Sequence, residues 1–296
     1  MSNDEVVLLV TTFSRVEKYI PIIENLLNRL WVDHPPCYFL TDGDAQKNKS
    51  VLALCRGDWV GMFLEGLLQL KKRHPDAKYV FHMLEDHCPL RACDSVKIRS
   101  ICQLARRYEL NAVAFPTYSW PWNETQDDIY PDDLIRGWRR IDVRQIGSER
   151  FAAVPRDFFR YFQVQPTIWN IDYLIQACGV ALERGIRNVW QFEAMHWDGA
   201  AQHYVADYHW PTVHHGFLAA GKVNPSAITY MDKAIGAELY VELIRDLIGV
   251  GSPMLYWGWR ASRGLAGATM HLWRRIRGVA ANAHTQTLDS KNSNQH

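Results

Sequence analysis

The chain opens with an unbroken apolar run at residues 6–10, VVLLV, which predicts a short strand buried on both faces. Thr11, Thr12, Phe13 and Ser14 supply the turn, and Ile20, Ile23, Leu26, Leu27 and Leu30 then recur at helical spacing. "CYFLTDGD" reads as a second strand ending in acids and glycine. "DWVGMFLEGLLQLKKRHPDA" reads as a helix, with Asp58 as N-cap and Leu64, Leu67 and Leu68 on its apolar face. "KYVFHMLEDH" is a third strand, "CDSVKIRSICQLARRYEL" a third helix and "NAVAFPTY" a fourth strand.

This strand–helix alternation predicts an α/β fold with a doubly wound, mostly parallel sheet. Three strand ends carry polar groups, at residues 11–15, 42–44 and 85–87. Open sheets of this kind gather ligands at their carboxyl edge, so three polar ends on one edge predict a ligand cleft. From 119 to 150 the period is lost and a loop-rich insertion is expected. "NIDYLIQACGVALERG" returns to helical spacing, with Asn170 as N-cap and Gly185 as stop, and "TVHHGFLAAGKVNP" reads as a strand with a Gly-Lys turn.

Beyond Leu247 the chain carries no acid until Asp289, while Arg260, Arg263, Arg274, Arg275 and Arg277 are present, with Trp257, Trp259 and Trp273 among them. A basic, aromatic-bearing segment at 253–278 suits contact with a membrane surface. A helix or arm packed on the protein body, with its arginines in solvent, explains the same pattern. The expected division is therefore a domain over 1–230 and a basic helical extension over 231–296 with a disordered end.

Composition narrows the class. The formal net charge is +1, too weak a field to expect a nucleic-acid partner. Twelve Trp and thirteen Tyr are an excess that suits stacking on sugars or bases. Six cysteines form neither a disulfide framework nor a CxxC pair, the start MSNDEVVLLVTTFS lacks a basic leader, and no apolar run approaches the ~20 residues of a spanning helix. A cytoplasmic protein with free thiols is expected. Cys88 and Cys93 beside His82 and His87 are too loosely spaced to read as a zinc site.

The ordered set "VVLLVTTFSRVEKYIPIIENLL", "DWVGMFLEGLLQL…KYVFHMLEDH", "QPTIWNIDYLIQAC…NVWQFE" and "HHGFLAAGKV" resembles bacterial GT-A-type glycosyltransferase-like proteins of surface-polysaccharide gene clusters. The resemblance spans residues 6–223 and implies a nucleotide-sugar donor, Mn2+ or Mg2+, and a hydroxyl acceptor on a glycan or lipid-linked glycan. Such enzymes place an Asp-x-Asp-like motif at the end of a central strand. The position implied here is Glu85-Asp86-His87, with Asp86 as metal ligand and His87 as a second ligand. The motif departs from the usual one, because Leu84 and Cys88 flank it where a second acid would stand.

By the same resemblance Thr11, Thr12, Arg15 and Asp42 meet the donor's base, ribose or phosphate, although turn chemistry alone also uses such residues. Glu85 is grouped with them, while strand alternation would turn it from Asp86. His215 and Lys222 would offset the diphosphate's charge. Gln165, Trp169 and Trp190 are candidate sugar contacts, and Glu193, set among Trp190, Phe192 and Trp197, is the candidate base for the acceptor hydroxyl. Glu193 as a helix cap or arginine partner is the plain alternative. Two rival functions stand beside the transferase: a metal-dependent hydrolase using His82, Asp86, His87 and His214 or His215, and a non-catalytic sugar-binding protein.

Overall fold

The computed structural model describes residues 5–43, 50–54, 57–117, 143–154, 156, 162, 164–196, 202–212, 217–219, 222–223 and 227. The chain divides into two compact units, Met1–Leu243 and Ile244–His296. The second unit, with the segment 253–278, lies outside the described residues.

The described part of the first unit is a nine-stranded sheet with helices on both faces. Its strands are β1 (Val6–Thr11), β2 (Cys37–Thr41), β3 (Val51–Ala53), β4 (Tyr79–Leu84), β5 (Ala112–Ala114), β6 (Val143–Ile146), β7 (Glu149–Ala153), β8 (Thr167–Asn170) and β9 (His203–Ala206). Their order is β3-β2-β1-β4-β8-β5-β9-β7-β6. The strands β3, β2, β1 and β4 are mutually parallel, β8 runs antiparallel between β4 and β5, and β7 runs antiparallel to both β9 and β6. The α/β class is as expected, but the sheet is mixed rather than mostly parallel. The strands that change this are β8 and the β6–β7 hairpin, each four or five residues long. Part of the expected insertion, residues 143–150, forms that hairpin.

The helices follow from their apolar spacing and caps. In α1 (Ile20–Leu30) the buried side chains are Ile20, Ile23, Leu26, Leu27 and Leu30. Asp58 caps α2 (Trp59–Arg73) by accepting from Gly61 N, and Asp94 caps α3 (Ser95–Arg107) by accepting from Lys97 N at 2.9 Å. Each such cap is worth ~1 kcal/mol. The buried face of α2 is Trp59, Met62, Phe63, Leu67 and Leu70, whereas Leu68 is 49% exposed. The aromatic residues of the first turns, not the leucine run, set that helix's rotation. Asn170 caps α4 (Ile171–Glu183), and Gly185, at φ +75°, closes it with Gly185 N on Leu182 O and Ile186 N on Ala181 O. This is a Schellman closure, which needs a residue tolerant of left-handed backbone. A short helix, α5 (Val189–Glu193), follows with Asn188 as cap.

One apolar layer joins α2 and α4 to the sheet face bearing Val7, Leu9, Val80 and Trp169. On the opposite face Phe81 packs against Trp31 and Trp210, and the Tyr79 hydroxyl donates to Ala105 O of α3 at 2.9 Å. Within the segment expected to carry a Gly-Lys turn, β10 (Leu218–Ala219) pairs antiparallel with β11 (Lys222–Val223), which places Lys222 in a strand.

Candidate functional site

The chain leaves β1 to build β2 and β3 on one side, and returns to place β4 on the other. The order of the parallel strands therefore reverses between β1 and β4, and in open α/β sheets the ligand crevice lies outside the carboxyl ends at such a reversal. Thr11 and Thr12 end β1, and Glu85, Asp86 and His87 follow β4.

Residues 85–87 do not continue the strand as the alternating pattern predicted. They form one turn of 3-10 helix after Leu84. Glu85 and His87 are buried in that turn, while the Asp86 side chain keeps 31% exposure, so Glu85 and Asp86 face different ways as expected. His87 Nε2 lies 3.6 Å from Asp86 Oδ1. Burial, with the Asp86 charge adding to it, pushes the Glu85 carboxyl up to about 8, against a smaller opposing effect of Arg15.

Downstream chain holds this turn by its carbonyls. Phe217 N donates to Asp86 O, Trp210 Nε1 to His87 O at 2.8 Å and Thr212 Oγ1 to Cys88 O at 3.2 Å. Phe217 also packs edge-on against Tyr19, so the residue before β10 touches both the segment that follows β1 and the turn that follows β4.

Buried polar atoms without a hydrogen-bond partner gather here. They include Thr12 Oγ1, Glu85 Oε2, Asp86 Oδ1 and His87 Nδ1, with His82 Nδ1 and Trp59 Nε1 beneath. Buried polar groups are ordinarily paired, so a cluster of unpaired ones at a crevice points to a ligand. A groove of about 620 Å3 lies at the opposite edge of the sheet, lined by Lys78, Tyr79, Arg106, Glu109, Asn111 and Asn170 among others. It is wide open, and none of those side chains carries a buried unpaired atom. The unpaired buried polar atoms of Thr12, Glu85, Asp86 and His87 lie at the carboxyl edge instead.

Of the sequence candidates, Thr11, Thr12, Arg15, Glu85, Asp86 and His87 come together around β1 and β4. Asp42 follows β2 and accepts from Ser14 N at 2.6 Å, which ties the second strand end to the first. Gln165 precedes β8, whose Thr167 pairs with His82 of β4, so it lies at the same edge. Thr117 Oγ1, just past β5, approaches its side-chain oxygen at 3.4 Å. Glu193 ends α5, buried, with Oε1 3.4 Å from Val164 N, beside the same stretch of chain. Trp190 is 69% exposed on that helix.

Trp169 stands apart. It is 1% exposed in mid-strand, packed nearly parallel to the rings of Phe162 and Tyr173, and is a core residue. Lys222 lies in β11, nothing being described of its side chain, and His215, like His214 and Trp197, is outside the described residues. The sequence reading missed Glu17, which accepts from Thr41 Oγ1 at 2.6 Å beside Asp42, and the carbonyl clasp from Trp210 to Phe217. Glu17 was visible as the acid two residues past Arg15. The clasp had no local signal.

Among the described residues no group of three or more His, Cys, Asp or Glu side chains converges on one point. The five described cysteines are free thiols. A hard divalent cation needs fewer protein ligands, since one or two carboxylates suffice when phosphate and water supply the rest. The unpaired oxygens of Glu85 and Asp86 fit that requirement. Among the described residues no helix is long and apolar enough to cross a membrane. Compared with known proteins, the chain matches no family model and no curated sequence.

Proposed function

We propose that this protein is a GT-A-type glycosyltransferase, moving a sugar from a nucleotide-sugar donor to a hydroxyl of a glycan or lipid-linked glycan in surface-polysaccharide synthesis. The observation that carries the reading is the cluster of unpaired buried polar atoms at the β1–β4 reversal. Doubly wound nucleotide-binding sheets hold their ligand at such a point.

In this reading the donor lies across the ends of β1 and β4. Thr12 meets it at the β1 end, Asp42 and Glu17 accept from its base or ribose, and Arg15 faces the diphosphate. Asp86, with Glu85 and His87 beside it, would hold Mn2+ or Mg2+, which when bound supplies Lewis-acid neutralisation of the diphosphate. Glu193 takes the proton of the acceptor hydroxyl as its oxygen bonds to the anomeric carbon. The bond from that carbon to the diphosphate breaks, and the electron pair leaves with the diphosphate. Trp190 and Gln165 line the sugar side. The setting is cytoplasmic, with the arginine- and tryptophan-bearing segment 253–278 meeting the membrane surface where a lipid-linked acceptor resides.

Calorimetric titration of UDP, GDP and CDP, with and without Mn2+, tests this in the wild type and in Asp86→Ala. The expected result is metal-dependent binding of one nucleotide that the variant loses. Binding independent of metal and of Asp86 removes the assigned ligand, and no binding of any nucleotide removes the transferase reading.

A further inference from the structure

Beneath the crevice lies a polar pair that fold stability does not explain. His82 and Thr11 are both fully buried, and His82 Nε2 lies 2.9 Å from Thr11 Oγ1. In the β1–β4 ladder His82 is opposite Leu9 and Thr11 opposite Leu84, so the two share one face as diagonal neighbours. The imidazole sits against Phe63, with ring centroids 4.6 Å apart, and Trp59, at 6.4 Å. Its other nitrogen is unpaired, and burial keeps the ring neutral by lowering it to about 3. A half-satisfied imidazole in an aromatic cage is less stable than a phenyl ring of similar shape. The bond therefore has another use.

We infer that His82 is a positioning residue of the crevice, acting through Thr11 to fix the direction of the β1 end; this rests on the donor reading above. Thr11 is the last residue of β1. Adjacent strand residues face opposite ways, so holding the Thr11 side chain sets where Thr12 and the next peptide point. Thr12 N donates to Leu40 O at 2.8 Å, which holds that peptide from the β2 side. The end of β1 is thus tied to β2 by its backbone and to β4 by the His82 imidazole.

The test compares His82→Phe, His82→Gln and Thr11→Val with wild type by thermal denaturation, by hydrogen exchange over residues 11–15, and by titration of UDP, GDP and CDP with Mn2+. His82→Phe should keep or raise the melting temperature, speed exchange over 11–15 several-fold and weaken nucleotide binding at least tenfold. His82→Gln, whose amide reaches Thr11, should restore both, and Thr11→Val should mimic His82→Phe without adding to it. Unchanged exchange over 11–15 in a stable His82→Phe overturns the inference. So does a lowered melting temperature with faster exchange throughout β1 and β4, which marks a purely structural residue. If the wild type binds none of the three nucleotides, the donor reading fails, and exchange over 11–15 alone decides whether His82 holds the strand end.

Discussion

Trp210 Nε1 donates to the carbonyl of His87 at 2.8 Å, across 123 residues of sequence. The same indole packs against Trp31, Phe81 and Phe115, so one side chain links the aromatic core to the acidic turn. Trp210→Phe keeps most of the packing and leaves a buried carbonyl unpaired. It should cost about 1–3 kcal/mol in urea denaturation and weaken metal-dependent nucleotide binding by more than the lost stability explains. A variant with wild-type binding would show that the turn holds its shape without this bond.

Two buried groups should bend the pH dependence of the metal-free protein in opposite directions. Glu85 is raised to about 8 from an ordinary 4.5, so the folded state binds the extra proton. Its contribution is complete below pH 4.5 and is lost as pH rises through 8. His82 is lowered to about 3 from an ordinary 6.5, so the unfolded state binds the extra proton, and stability is lost as pH falls from 6.5 toward 3. Each limb approaches ~1.4 kcal/mol per pH unit. Urea denaturation from pH 4 to 8.5 should therefore show a mildly acidic maximum. Glu85→Gln should flatten the alkaline limb and leave stability rising with pH up to 6.5, where the His82 effect is no longer offset, and an unaltered alkaline limb in that variant would place the titration elsewhere.

Trp169 and Trp190 should separate cleanly. Trp169→Ala opens a cavity in the stacked core and should cost about 3–5 kcal/mol. Trp190→Ala touches an exposed ring and should stay within about 0.5 kcal/mol. Equal stability losses in the two variants would contradict the burial of Trp169.

Glu193→Gln keeps an oxygen near Val164 N but cannot take a proton. Nucleotide affinity should hold within about twofold, while release of nucleoside diphosphate in the presence of acceptor should fall by about 10²–10⁴. Turnover at the wild-type rate would remove Glu193 as the base.

Some of this was legible in the chain alone. Residues 6–10 are apolar at every position because β1 is covered on both faces, and α1 and α3 show their buried stripes at helical spacing. Asp58, Asp94 and Asn170 announce helix starts, and Gly185 a stop, because capping is a bond between residues close in sequence. The polar strand ends also marked the edge of the sheet that gathers the candidate site. Against this, the direction of β8 and the β6–β7 hairpin left no local trace, whereas the stripe that sets the rotation of α2, Trp59, Met62, Phe63, Leu67 and Leu70, stands in the sequence at helical spacing beside the leucine run.

The sequence by itself determined the elements whose stability is local: the first strand, the amphipathic helices, their caps, and the acids placed after β4. Only the tertiary structure decided that β8 enters antiparallel beside β4, that Glu85 turns inward as a 3-10 turn replaces the strand, and that Trp210, Thr212 and Phe217 clasp three successive carbonyls. It alone decided that Trp169 is core and that His82 meets Thr11. The physical reason is range. Periodicity and capping act over one helical turn or a few strand residues, whereas burial, register and carbonyl pairing depend on partners that only the folded chain brings together.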